Sequence, residues 1–540
     1  MNKTRAKNLH WKYRLRLVGV PLLARLGRCV GLSWDSLGNR LGREVLLAQL
    51  PSVSRNHVSA ERRTTRPLDV VCLTMMGGNH RLASVEVVLG LALRARGHRV
   101  RYVLCDQQLD CCEVKWLGQE DQWPAACAKC YEFGRRYLEA TRCPVTTVSE
   151  LIAARRLVGE HDEYVESALL KHYHVGVLED SDEVRRRREL FVQAARVSAA
   201  VGRALAQVKP DRVVMSHGIY CTWGPAREML LKAGVPVATY GEGKKKDSEK
   251  FNWNTSADWW DVQHEWDRVR DAPLTAAQQA ELDEYLTSRR RHSQDARIYN
   301  FGQEETVQQT RRRLRLDPDK PTFVLFTNVL WDAASAQREI AFPNPVQWVM
   351  DTIEWFGSHQ DRQLVVKIHP AEVVIGTNQP FASLIAKRFP ALPPNVRVIE
   401  PQETVNSWSI LQVADLGIVH TSTVGMELPL EGVPCLVVSR THYRGRGFTV
   451  DINSREEYFR TLATWDASRL DRERLADLAK RYAYLLFQRY QLPFPFLREK
   501  DVNDVRSLAG CGANQLLDHP TIQVFLKAFE ERGDFLLEAE

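Results

Sequence analysis

The stretch from Leu68 to Asp106, "LDVVCLTMMGGNHRLASVEVVLGLALRARGHRVRYVLCD", constrains the fold more than any other part of the chain. An apolar run at 68–74 gives way to a glycine turn. Leu82, Val85, Leu89 and Leu93 then recur at three- and four-residue spacing, and Gly97 precedes a second apolar run at 98–104. That spacing predicts a helix over about 81–96 with one buried face, ended by Gly97. Two short strands separated by a helix make a βαβ unit, which requires a parallel sheet.

The pattern recurs. "DRVVMSHGIYCTWGPAREMLLKAGVPVATYGEG" predicts a strand at 211–215, a helix at 225–233 and a strand at 235–240. A second series starts with strand 322–328 and helix "PVQWVMDTIEWFG". Strands 363–370 and 395–400 follow, then helix "VNSWSILQVA" and the apolar runs "ADLGIV" and "CLVV". Residues 130–207 read as mostly helical, and their run "DSDEVRRRREL" as a solvated face. The expected class is α/β, with two Rossmann-like doubly wound domains facing across a cleft. A chain of 540 residues has the length for two such cores. The expected division is a basic segment 1–60, a first domain 61–305 and a second domain 306–500. A helical tail 501–540 completes it; helices 468–491 and 520–535 are placed at the domain junction.

Charge narrows the function. Residues 1–50 hold ten Lys or Arg against two acids, so the +7 of the whole chain leaves about −1 for everything after Leu50. A nearly neutral body argues against nucleic acid as a partner. The leader has no run of about 20 apolar residues to cross a membrane, and Arg14, Arg16 and Arg25 break any signal-peptide centre. Its Trp11, Tyr13 and basic residues fit an anionic membrane surface; a self-packed terminus is the alternative. The expected location is the cytoplasm, with the inner face of the plasma membrane as a peripheral site. Eleven cysteines in such a compartment do not imply a disulfide framework. Cys127 and Cys130 have the two-residue gap of a zinc pair, and Cys111 or Cys112 would complete the set, though the second CxxC is missing. Free thiols or a local redox role are the alternatives.

Ligands of open parallel sheets collect beyond the strands' carboxyl ends, so the turns after strands carry the chemistry. Lys367 and His369 leave one face of their strand and Pro370 fixes its exit, a cationic pair suited to a phosphate. Ser407, with Thr404 and Asn406, stands at a helix start, either capping it or facing an anion. Thr421, Ser422 and Thr423 lie where a strand passes into a helix, with hydroxyls and free N–H groups converging on an anion. Gly425 allows a bulky neighbour close, and Glu427, a turn further in, suits a ribose diol. An anion beside a diol describes a nucleotide. In the first half, His80 after the glycine turn, Asp106 and Glu242 after later strands are the candidates for the base that activates an acceptor hydroxyl. The loop "GKKK" at 243–246 either meets a phosphate-bearing acceptor or is solvated.

The combination "KIHP … NSWSILQVADLGIVHTSTVGMELPLEGVPCLVV … YRGRGFT" resembles the bacterial capsule polysaccharide biosynthesis family, GT-B glycosyltransferases that include capsule Kdo transferases. The resemblance is specific over about 322–450 and looser over 68–245; residues 1–60 and 500–540 lie outside it. It implies that His369 and Pro370 contact the donor phosphate, that Thr421, Ser422 and Thr423 form the small-residue turn, and that Glu427 binds ribose. Pro429 departs from the pattern by interrupting the helix that carries Glu427.

The expected activity moves a sugar from a nucleotide donor (CMP-, UDP- or GDP-linked) to a surface polysaccharide or its lipid-linked precursor. It requires no other cofactor and no metal. The partners are the nucleotide sugar and a glycan or glycolipid acceptor. A sugar-nucleotide epimerase on the same fold and a non-catalytic component of an assembly or export complex are the rival readings.

Overall fold

The computed structural model describes residues 58, 60–116, 123–153, 155–159, 161–291, 294–297, 302–332, 338–497 and 512–539. Nearly all of the basic leader, and the first part of the expected tail, lie outside these residues.

Two sheets organise the chain. The first contains β1 (Asp69–Thr74), β2 (Arg99–Leu104), β3 (Val145–Thr147), β4 (Arg212–Ser216), β5 (Val237–Glu242) and β6 (Ser248–Trp253). The second contains β7 (Thr322–Phe326), β8 (Gln363–Lys367), β9 (Val396–Ile399), β10 (Leu416–Val419), β11 (Cys435–Val437) and β12 (Val450–Asp451). A last strand, β13 (Leu492–Pro493), returns to the first sheet and pairs antiparallel with β6. The orders are β13-β6-β5-β4-β1-β2-β3 and β12-β11-β10-β7-β8-β9. The second sheet is parallel throughout, and β3-β2-β1-β4-β5 of the first is too. Both have the doubly wound order, which reverses between β1 and β4 and again between β7 and β10. A crevice opens at each reversal, because neighbouring crossovers leave on opposite faces there.

The expected α/β class and paired Rossmann-like architecture therefore hold. The helix expected over 81–96 runs His80–Arg96, capped by the Asn79 side chain and closed by Gly97 in the left-handed conformation, φ 106°. Strand β6 was not legible. Its residues SEKFNW lack a clean apolar alternation, yet Ser248, Glu249, Lys250 and Asn252 are all buried. Tertiary partners outweigh local preference in such a strand.

The packing divides the chain differently from the expected boundary near 305. Trp260, Trp266, Leu282 and Tyr285, expected in the first domain, belong to a core formed with Val324, Val365, Val419 and Phe487 of the second. Conversely, Leu492, Phe494, Phe496, Ile522, Phe525 and Phe529 join the core of the first sheet. The chain thus crosses to the second lobe near 260 and returns near 490. Helix Arg472–Tyr484 packs within the second lobe, and its continuation towards 491 bridges to the first, where the Tyr490 hydroxyl donates to Asn252 at 2.6 Å and Gln491 accepts the Lys245 N–H at 3.0 Å. Helix Pro520–Glu531 packs within the first lobe.

Glu86 is buried under the first sheet, where it meets the hydroxyls of Tyr240 at 3.1 Å and of Thr74. Burial pushes its carboxyl up to about 8, with both hydroxyls opposing. The folded protein then keeps a proton that the unfolded chain releases above about pH 4.5, so this group's contribution to stability falls as pH rises from there towards 8. Glu86→Gln cannot ionise and is expected to narrow the loss of melting temperature between about pH 5 and pH 8. An unchanged loss in that variant would mean that Glu86 is ionised in the fold.

Candidate donor site at the crevice of the second sheet

The strand-end turns singled out above are tied together by two residues after β7. The Thr327 hydroxyl accepts the His369 N–H at 3.0 Å, and the Asn328 side-chain carbonyl accepts the Thr421 N–H at 3.1 Å. Strand β7 lies between β8 and β10, so Thr327 and Asn328 hold His369 and Thr421 on either side of the reversal point. The sequence reading missed this pair. Its signal was present in "LFTN", two polar residues closing a buried strand.

Lys367 and His369 continue the parity of Val365, on the face that shares a core with Trp260 and Phe487. Both are desolvated. Burial brings the Lys367 ammonium down to about 8 against the pull of Glu403. Burial, aided by the charges of Lys244 and Lys367, brings His369 down to about 4, so its imidazole is neutral near pH 7. The His369 Nδ1 accepts the Ala371 N–H at 3.0 Å. A neutral ring accepting at Nδ1 carries its proton on Nε2, which is the donating position. Pro370 caps the short helix Ala371–Val374 and sets this exit.

The turn after β10 divides by face. His420 turns into the core beside Trp348, where burial depresses it to about 3, and it is no ligand candidate. Thr421, Ser422 and Thr423 remain at the strand end, where the Ser422 hydroxyl accepts the Val424 N–H at 3.3 Å. A Cβ at Gly425 would strike the Tyr443 hydroxyl, which itself donates to the Ser422 carbonyl at 2.5 Å. The bulky neighbour that Gly425 admits is therefore a phenol of the same chain.

Glu427 is engaged within the protein itself. It lies in helix Val424–Leu430, which contains Pro429 and runs for only seven residues. Its carboxylate is buried against the Arg289 guanidinium, which also reaches Asp295 at 3.2 Å. Burial opposes the charge on Arg289, but Glu427 and Asp295 outweigh it and hold the group well above its ordinary value. In this structure Glu427 is bound to a protein cation. Ser407 also stands apart. It follows β9 at the sheet edge, at a helix start capped by Asn406, whose side chain also reaches the Gly302 carbonyl at 2.9 Å.

The first lobe contributes more cations than expected. Lys244, from the loop between β5 and β6, is close enough to depress both His369 and His442. Lys250 pairs with Asp258 at 3.3 Å, and its ammonium lies 4.6 Å from the Trp260 ring centre. Lys171 lies over Trp331 at 4.0 Å. His217, after β4, is half-buried, and desolvation lowers its pKa despite the pull of Asp258. The "GKKK" loop is thus part of the wall between the lobes; a lysine run alone could not be told from a solvated one.

The base candidates fare less well. Asp106 accepts the Ser149 N–H at 3.0 Å and contacts its hydroxyl, fixing the turn after β3. Glu242 pairs with Arg297 at 2.7 Å and lies 4.0 Å from Arg81; these cations overcome its burial and lower its pKa, which disfavours a base. His80 opens its helix beside Arg81. A Cβ at Gly78 would meet the Cys130 Cα at 2.5 Å, and the Gly78 N–H donates to Cys130 Sγ at 3.1 Å. This packing accounts for the glycine turn and for Cys130. Among the described residues no three His, Cys, Asp or Glu side chains converge as a metal set, so Cys111, Cys112, Cys127 and Cys130 do not form the suggested zinc site. Cys111 and Cys112 are buried.

Residues 274–490 match the family described as capsule polysaccharide biosynthesis protein. The matched segment contains every proposed donor residue from Lys367 to Glu427, together with Arg289 and Thr327. A comparison with curated protein sequences finds no match. Among solved structures, the chain is similar to the KpsC β-Kdo 2,4 transferase of Thermosulfurimonas dismutans, at 17% identity over 52% of this chain and 81% of that one, TM-score 0.33. It is also similar to the glycosyltransferase SnogD of Streptomyces nogalater, at 16% identity over 78% and 95%, TM-score 0.23. A UDP-GlcNAc 2-epimerase of Neisseria meningitidis bound to UDP-GlcNAc shares 10% over 76% and 97%, TM-score 0.26. Superpositions this loose do not assign an activity. No helix among the described residues is long and apolar enough to cross a membrane.

Proposed function

We propose that this protein is a glycosyltransferase that takes a sugar from a nucleotide donor and adds it to a capsule-type polysaccharide or its lipid-linked precursor. The observation that carries this reading is the joining of His369 and Thr421 across β7, at the crevice of the second sheet and beside Lys244 of the first lobe. Neutral His369 donates through Nε2 to the departing phosphate. Lys367, Lys244 and the 421–423 turn share the charge that develops as the glycosidic bond breaks, the type of fixed stabilisation that lowers such barriers most. His217, after β4 and within electrostatic reach of Asp258, joins His80 as a candidate to accept the acceptor's proton.

Thermal-shift measurements with CMP, UDP, GDP and dTDP compounds test the donor site, since a ligand of the native state raises its melting temperature. One nucleotide class is expected to raise it in the wild type and to lose most of that effect in His369→Ala. No shift with any nucleotide, or an equal shift in the variant, would overturn the assignment. Conversion of the bound sugar to an isomer without an acceptor would favour the epimerase reading.

A further inference from the structure

A cavity of about 320 Å³ lies between the lobes, lined by Tyr164, Tyr220, Arg227, Trp259, Arg338 and Arg440 among others. Its volume is in the range of small-molecule sites. Charge within it is one-sided, with three arginines against a single carboxylate, Glu163. Arg338 is buried, lies 3.9 Å over the Trp259 ring and donates to the Asp258 carbonyl at 3.2 Å. Burial pulls it down to about 10 against Asp258 and Glu339, and the charge of Arg440 adds to the depression. Two guanidinium groups that repel across a cavity are stabilised by an anion between them.

Unsatisfied groups point the same way. The Nε of Arg227 and the hydroxyl of Thr255, both from lining residues, are buried with no hydrogen-bond partner. Native proteins leave few such groups, and each calls for a partner. Helix Tyr220–Lys232 begins in the lining, and Ile219 gives it no side-chain cap. Its N-terminus faces the crevice of the first sheet, and a helix start favours negative charge. The approach is built from residues in the left-handed region, with φ of 40° at His217, 54° at Tyr220 and 63° at Asn254. Non-glycine residues hold that conformation only where surrounding structure imposes it. Trp259, 36% exposed, adds an aromatic surface for the ring of a sugar.

We infer that this cavity seats the acceptor's terminal sugar and that this sugar carries a carboxylate or a phosphate, held by Arg227, Arg338 and Arg440. The inference rests on the glycosyltransferase reading for the word acceptor, but its anion preference is measurable without turnover. Planar guanidinium groups bind both anions through paired N–H donors. The position fits transfer, because Arg338 also touches the Asp258 loop that pairs with Lys250, on the way to Lys244 and His369.

Calorimetric titration of the full chain tests it with three probes: a uronate-terminated disaccharide, its carboxyl-reduced neutral twin and a sugar-phosphate-terminated disaccharide. At least one acidic probe is expected to bind about tenfold or more tightly than the neutral twin. Which acid binds distinguishes carboxylate from phosphate. Arg227→Gln and exposed Arg440→Gln should each abolish most of that preference while keeping the nucleotide-induced rise in melting temperature. Equal binding of acidic and neutral probes, no binding of any probe, or an intact preference in Arg440→Gln would overturn the proposal. Loss of the nucleotide effect alone, in the wild type, would strike the donor assignment and leave acid-selective binding standing.

Discussion

His369→Ala is expected to lower kcat by roughly 10²- to 10³-fold, the usual effect of deleting one donor aimed at developing charge. The imidazole is neutral and its Nδ1 is occupied by the Ala371 N–H, so the donor lost is Nε2. KM for the nucleotide sugar should rise far less, because Lys367, Lys244 and the 421–423 turn remain to hold the ground-state phosphate. The histidine is depressed to about 4, so its own titration should leave the wild-type rate level between about pH 5.5 and 7.5. Steady-state kinetics across that range check both points. A variant with wild-type kcat and raised KM would reduce His369 to a ground-state contact. An acid limb centred near 6.5 that vanished in the variant would show that His369 acts while protonated.

Glu427→Gln is expected to destabilise the protein by about 3 kcal/mol, the cost of breaking a buried ion pair and leaving one charge short of a partner. Arg289 would keep Asp295 at 3.2 Å but lose its pairing with helix Val424–Leu430. That contact joins helix Ala276–Arg290 to the turn of Thr421 to Thr423. Urea unfolding of wild type and variant measures the difference. Arg289→Met should cost more than Glu427→Gln, since it removes the cation that the buried carboxylates of Glu427 and Asp295 share. A loss of nucleotide affinity with unchanged stability would restore Glu427 as a simple ribose ligand and overturn the structural role.

Residue pattern revealed more of the fold than of the site. The helices at 81–96 and 345–357 and the strands near 68–74, 211–215 and 363–367 follow from local apolar periodicity, which a helix or parallel strand must carry in its own residues. Strand β6 did not, because its polar residues are buried only by partners distant in sequence. The crossings near 260 and 490 were hidden for the same reason. Residues such as Trp260 and Phe494 look like core residues wherever they pack, and periodicity does not say which core. At the site, Lys367, His369 and the 421–423 turn were legible because a strand's carboxyl end is also a position in sequence. At Glu427 the spacing from the turn fitted a diol, but its ion pair was hidden because the arginine that holds it lies 138 residues earlier.

The sequence by itself determined two doubly wound sheets and the strand ends at which chemistry gathers, since both depend on neighbours along the chain. Only the tertiary structure decided which of those ends meet, through Thr327 and Asn328, and which cations of the first lobe face them. Charge in a protein acts through distance, and a lysine in "GKKK" acquires its role only when folding brings it beside His369.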